Sequence, residues 1–161
     1  MFSKVLKSDL PMVVDAYALN LLSKSELRKT DWILTPHPGE AARLIDCSTA
    51  EVQEDRGGAV KNIAEKYGGT AILKGSGSLV TAGDGPCWLC TAGNPGMAVP
   101  GMGDVLTGII AALMAQGLTA EMAAVAGVDI HARAGDAAAA SGQRGMLASD
   151  LLQELRAWVN P

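Results

Sequence analysis

One stretch that neither helix nor strand can accommodate controls what this chain can become. It reads Gly93-Asn94-Pro95-Gly96-Met97-Ala98-Val99-Pro100-Gly101-Met102-Gly103, with four glycines and two prolines in eleven residues. Proline lacks a backbone N–H and fixes φ, and glycine adds backbone freedom, so the segment is a loop. The chain then changes character. Apolar residues fall at 105, 106, 109, 110, 113 and 114, a spacing that predicts a helix with a wide buried face. Gly117 supplies a stop signal. Gly101-Met102-Gly103 therefore leads into a helix N-terminus, with Asp104 in the first turn.

Glycines at such a point let the backbone approach a ligand closely. The free N–H groups and the positive end of the helix dipole favour an anion, above all a phosphate. Asp104 beside such an anion loop is a poor anion binder, but it suits the task of taking a proton from a substrate hydroxyl. Read alone, the same residues need do no more than shape a tight turn, with Asp104 as a first-turn helix charge. Two other phosphate loops are excluded. Leu106 stands where G-x-G-x-x-G requires glycine, and no Gly-Lys-Ser/Thr follows as in a Walker A loop.

The 161 residues are 48% hydrophobic and 19% charged, enough for one domain with a sizeable core. A net charge of −4 and a pI near 5.1 point away from nucleic-acid and membrane partners. No apolar run is long enough to span a bilayer, and the first residues lack a signal-peptide core. Three cysteines, an odd number without secretory context, make a reduced, cytoplasmic protein the expectation. Cys87-x-x-Cys90 is set aside as a metal or redox motif. There is no second pair, and residues three apart on a strand point to opposite faces.

Taken in order, Pro11-Met12-Val13-Val14, Trp32-Ile33-Leu34-Thr35 and Thr70-Ala71-Ile72-Leu73-Lys74 read as buried strands. Asp15 is expected to cap a helix from residue 16 to about 29. Pro38 suits the first turn of a helix and forces His37 into an extended conformation. His37 thus stands where a strand gives way to a helix, the edge at which open α/β sheets bind ligands; the plainer reading is a histidine that finishes a turn. Ser48-Thr49-Ala50-Glu51 fits a capping box for a long helix toward Tyr67, with a break expected at Gly57-Gly58.

The third strand runs into Gly75-Ser76-Gly77-Ser78. With Lys74 this loop has the composition of a phosphate contact, or of a flexible turn with a surface lysine. Residues 79–82 and 87–91 form a hairpin pattern. Thr119 is expected to cap a helix to about residue 140, in which His131 reads as packed or surface rather than as a ligand. Ser149 is expected to cap a last helix over 150–159. The whole is α/β, with a mainly parallel sheet and an antiparallel edge hairpin.

Several motifs occur in a fixed order: Val13-Val14-Asp15-Ala16-x-Ala18-Leu19-Asn20, Thr35-Pro36-His37-Pro38-Gly39-Glu40, Leu73-Lys74-Gly75, Gly93-Asn94-Pro95-Gly96-Met97-Ala98, Gly101-Met102-Gly103-Asp104-Val105-Leu106-Thr107-Gly108 and Arg144-Gly145-Met146-Leu147-Ala148-Ser149-Asp150-Leu151. As a set, over nearly the whole chain, they resemble the ADP/ATP-dependent NAD(P)H-hydrate dehydratase family. That family is ribokinase-like, is often described as carbohydrate kinases, and includes the C-terminal domain of bifunctional repair enzymes. The resemblance implies a three-layer α/β/α fold. It implies dehydration of hydrated NADH or NADPH (NADHX, NADPHX) at the expense of ADP or ATP with Mg2+, by phosphorylation of the hydrate hydroxyl and loss of phosphate.

By the same resemblance His37 and Asp104 face the hydrated nucleotide. Lys74, Gly75, Ser76, Gly77, Ser78 and Gly103 contact the adenine nucleotide (ADP, AMP). Two departures stand out: Tyr17 where the family has Asp, and Val99-Pro100 where it has a small residue and Gly. The chain corresponds to the C-terminal half to two-thirds of such a single domain, a piece of a longer protein with the N-terminal strands outside it. An uncovered sheet edge or apolar face, and hence a homo-oligomer, is expected. The rival readings are a ribokinase-like small-molecule kinase and a catalytically inactive nucleotide-binding fragment.

Overall fold

Each of the three apolar runs forms a strand in the computed structural model, which describes residues 5, 6 and 8–160. These are β1 (Met12–Val14), β2 (Trp32–Leu34) and β3 (Thr70–Leu73). They run parallel, with Val13 opposite Ile33 and Ile33 opposite Thr70. β4 (Ser78–Ala82) and β5 (Trp88–Cys90) extend the sheet as an antiparallel hairpin. The mixed sheet has the order β1-β2-β3-β4-β5.

Strand side chains alternate between two cores, as the two-residue period requires. Val14, Trp32, Leu34, Ala71 and Leu73 belong to one, and Val13, Ile33, Ile72 and Val80 to the other. The first core is covered by α1 (Tyr17–Leu22), α2 (Pro38–Ile45), α3 (Thr49–Glu54) and α4 (Arg56–Tyr67) through residues such as Leu22, Leu44 and Ile63. Two successive parallel crossovers in one direction put their helices on one face. The second core is covered by α5 (Met102–Ala115) and α6 (Ala120–Ala138), whose Leu106, Ile110, Ala124 and Val128 meet the sheet. Burying each such aliphatic side chain stabilises by about 1.5–3 kcal/mol. A third cluster, Met102, Ala134, Met146 and Leu151, joins α7 (Ala148–Val159) to both. The three-layer expectation is met. Among the described residues no helix is long and apolar enough to cross a membrane.

Four helix ends differ from expectation. The helix expected over 16–29 is only α1. The hydroxyls of Ser23 and Ser25 donate to the carbonyls of Asn20 and Leu22, a local alternative to the helical ladder. Asp15 does not cap it, because Ala16 is the N-cap and no side chain bonds there; its carboxylate is used elsewhere. The long helix breaks at Asp55, ahead of Gly57-Gly58, where the Asp55 carboxylate accepts from the Gly58 N–H at 2.8 Å and starts α4. Ser149 lies inside α7. Leu147 is the N-cap, and its N–H donates to the Asp150 carboxylate at 2.8 Å. The first-turn acid therefore serves where a capping hydroxyl was expected.

Candidate nucleotide and substrate site

The carboxyl ends of the three parallel strands deliver Asp15 after β1, Thr35-Pro36-His37 after β2 and Lys74 after β3. The Lys74 N–H donates to the Pro36 carbonyl at 2.9 Å, tying two of these exits together. The Lys74 ammonium lies 2.7 Å from Asp15 Oδ1 and 4.0 Å from Glu40 Oε2. Thr107, on α5, donates to Asp15 Oδ2 at 3.2 Å. Burial works against the charged Asp15 carboxyl, but the hydrogen bond and charge of Lys74 outweigh it and hold its pKa below the ordinary Asp value. The result is a part-buried ion pair at the focus of the parallel strands.

Over this pair comes the N-terminus of α5. Its N-cap, Gly101, has φ +91 and no side chain caps the helix, so the first-turn N–H groups stay available. Gly103 brings the helix backbone close to the ion pair. A Cβ there would stand 3.3 Å from Lys74 Nζ and 3.4 Å from Asp15 Oδ2.

Beside Gly103 opens a cavity of about 480 Å3. One wall is the 74–78 loop. The opposite wall is the 91–98 segment, with Met102, Gly103 and His131 between them. Asn94 fixes the second wall: its amide donates to the Gly135 carbonyl at 3.0 Å and to Asp136 Oδ1 at 2.9 Å, and its Oδ1 accepts from the Gly96 N–H. The Gly93 N–H donates to the other Asp136 oxygen at 2.9 Å. The Asn94-Pro95-Gly96-Met97 stretch is thus a rigid strap pinned to α6.

His131 is packed, as expected, but it is also part of the cavity wall. Its Nε2 lies 3.0 Å from the Met102 carbonyl. A carbonyl only accepts, so Nε2 carries the hydrogen. Burial, reinforced by the charge of Lys74 and opposed by that hydrogen bond, lowers its pKa to about 4, and the ring is neutral at neutral pH. Its sequence signal was the inward series Ala124, Val128, His131, Gly135 at helical spacing.

Of the residues expected from sequence, Lys74, Gly75, Ser76, Gly77, Ser78, Met102 and Gly103 all line this one cavity. His37, Gly101 and Asp104 do not. His37 is exposed and N-caps α2, its Nδ1 accepting from the N–H groups of Gly39 and Glu40 at 3.0 and 3.3 Å. It connects to the ion pair through Glu40, whose Oε1 is 3.6 Å from His37 Nε2. Asp104 is exposed in the first turn of α5, one residue from Gly103. Missed from sequence was Asp15 as the partner of Lys74.

A family model described as NAD(P)H-hydrate dehydratase matches residues 1–157. The chain belongs to the NAD(P)H-hydrate dehydratase family. It is 53% identical over 162 residues to a bifunctional NAD(P)H-hydrate repair enzyme of Coxiella burnetii, covering 100% of this chain and 33% of that protein. It is 43% identical over 160 residues to the ADP-dependent (S)-NAD(P)H-hydrate dehydratase of Neisseria meningitidis, covering 94% of this chain and 54% of the relative. The solved ADP/ATP-dependent NAD(P)H-hydrate dehydratase of Bacillus subtilis, co-crystallised with ATP/Mg2+ and soaked with CoA, superposes with a TM-score of 0.86 at 29% identity. That match covers 97% of this chain and 58% of the other. The chain therefore spans about a third of the bifunctional dehydratase relatives it matches and just over half of the shorter one. The two departures from the dehydratase pattern lie away from the cavity lining. Tyr17 is 72% exposed. Pro100 is exposed outside the lining, and Val99 packs on the third cluster.

Proposed function

We propose that this chain carries the nucleotide site of an ADP/ATP-dependent dehydratase that returns hydrated NADH or NADPH to NADH or NADPH. The observation that supports it best is the convergence of three anion-seeking features on one cavity. These are the 74–78 loop, the uncapped start of a fourteen-residue helix and the Lys74 ammonium. A phosphate chain fits this donor set: backbone N–H groups, the Ser76 hydroxyl and a cation, the Ser78 hydroxyl being donated to the Gly75 carbonyl at 3.2 Å. Gly103, with no side chain, leaves room against Lys74. Lys74, Gly75, Ser76, Gly77, Ser78 and Gly103 would hold the adenine nucleotide.

Magnesium would arrive with it. Among the described residues no three metal-ligating side chains cluster, so phosphate oxygens and water would supply most ligands, as Mg2+ commonly accepts. His37, linked to the ion pair through Glu40, and Asp104, in the first turn of α5 next to Gly103, would face the hydrated nicotinamide. Asp104 takes the proton of the substrate hydroxyl while that oxygen attacks the terminal phosphorus of the nucleotide, and ADP (from ATP) or AMP (from ADP) leaves. The C–O bond then breaks to release phosphate, and the neighbouring ring carbon gives up a proton to water as the C=C of NAD(P)H forms. Lys74, its charge shared with Asp15 and Glu40, steadies the transferring phosphoryl group. A homo-oligomer and a cytoplasmic setting belong to the same proposal.

The test is turnover of NADHX with ADP or ATP, followed by NADH formation and phosphate release. Formation of NADH in step with phosphate, abolished by Lys74→Met, is expected. A stable phosphorylated product without NADH would instead support the small-molecule kinase. Nucleotide binding without turnover, in this chain and in a longer protein containing it, would support the inactive binding fragment.

A further inference from the structure

We infer that Arg56 is a positioning residue for the nucleotide, its guanidinium clasping the 74–78 loop from behind and setting the shape that receives phosphate. The inference rests on the nucleotide site proposed above. Arg56 is the first residue of α4, directly after the capping Asp55. Its Nη2 donates to the Gly77 carbonyl at 3.1 Å, with the Leu73 and Lys74 carbonyls at 3.4 and 3.5 Å. Its Nη1 donates to Gln53 Oε1 at 3.0 Å. All four acceptors are neutral. Among the described residues no carboxylate forms an ion pair with Arg56.

A part-buried arginine without a carboxylate is costly to keep for packing alone, because desolvation opposes the charge and arginine does not escape by losing its proton. The loop is built around that charge. Gly75, at φ +142, passes so near that a Cβ would lie 3.2 Å from both Nη1 and Nη2. In a trans peptide the C=O of one residue and the N–H of the next point opposite ways. Turning the Lys74 carbonyl onto Arg56 therefore turns the N–H of Gly75 away from it, and Gly75 lines the cavity. Arg56 thus gathers carbonyls of the loop and leaves the Gly75 donor for an anion, with a fixed positive charge beneath it. None of this requires Arg56 to touch the ligand.

The experiment compares wild type, Arg56→Gln and Arg56→Lys by amide-resolved NMR and by ADP titration. In both variants, order parameters for Gly75, Ser76 and Gly77 should fall from about 0.85 to below about 0.6. Exchange of the Lys74 amide should speed roughly tenfold or more while Ile63 and Ile33 keep wild-type protection. The Kd for ADP should rise roughly tenfold in Arg56→Gln and less in Arg56→Lys, which keeps the charge without the planar fork. Unchanged loop order overturns the clamp. Loss of protection at Ile63 and Ile33 as well makes Arg56 a structural residue only. A loosened loop with wild-type ADP affinity overturns its service to the nucleotide. Wild type failing to bind ADP would bring down the nucleotide reading itself, a result separate from the loop dynamics.

Discussion

Asp15→Asn removes one charge from the ion pair beneath Gly103 and leaves the shape nearly unchanged. Taking one partner from a buried pair costs about 3–5 kcal/mol, whereas an exposed pair contributes about 0–1 kcal/mol. The Asp15 and Lys74 side chains are 12% and 20% exposed, nearer the buried limit. Two features soften the loss. Glu40, 4.0 Å from Lys74, offers a second carboxylate, and asparagine keeps an acceptor for Thr107. A destabilisation of about 2 kcal/mol follows, which for a chain of this size lowers Tm by about 4–8 °C. The folded pKa of Asp15 is depressed below 3.8. Its contribution is therefore fully present above the ordinary Asp range and lost as pH falls through the folded pKa. Urea unfolding followed by circular dichroism should show a constant gap between wild type and variant from neutral pH to about pH 5, closing in stronger acid. A variant as stable as wild type at neutral pH, or a gap that persists once Asp15 is protonated, would refute the reasoning.

On the proposed mechanism, Asp104→Asn in a longer protein containing this chain should lower kcat for NADHX by about 10²–10⁴-fold with ADP affinity little changed; near-normal turnover in a steady-state assay would return Asp104 to a helix-start residue. His131 has a folded pKa of about 4 against an ordinary 6.5, so the unfolded chain binds the extra proton and stability should fall as pH drops from 6.5 toward 4. His131→Gln should flatten that decline in denaturation curves, and an equal slope in both proteins counts against it. Self-association is expected from the edge strand β5, where Trp88 and Leu89 are 48% and 59% exposed beside Met122 at 62%. Light scattering should give a mass above 16.5 kDa that returns to the monomer in Leu89→Lys, and a wild-type monomer at high concentration would sink this expectation.

Features with local causes were legible in the sequence. The strands announce themselves as short apolar runs, the 74–78 loop by its glycines, and α5 by the switch from Gly/Pro to apolar spacing at Val105. His37 and Pro38 fixed the start of α2 because a proline constrains its own turn and the residue before it. What stayed hidden depends on partners far along the chain. Asp15 looks like a helix cap until Lys74, 59 residues on, arrives at 2.7 Å. Asn94 is pinned by Asp136, 42 residues away, and Arg56 reaches the Gly77 carbonyl across 21 residues. Short-range signals also failed where two local motifs competed. Ser23 and Ser25 bent back on their own turn and ended α1 early, and α7 starts after Leu147 without a side-chain cap, the Leu147 N–H held by Asp150.

The most direct measurement is a crystal structure of the chain soaked with ADP and Mg2+. The expected density has the phosphates between the 74–78 loop and the Gly103 end of α5, within reach of Lys74, and the adenine in the cavity walled by the 91–98 segment. Phosphates bound elsewhere on the chain, with this cavity left empty at saturating ADP, would contradict the assignment.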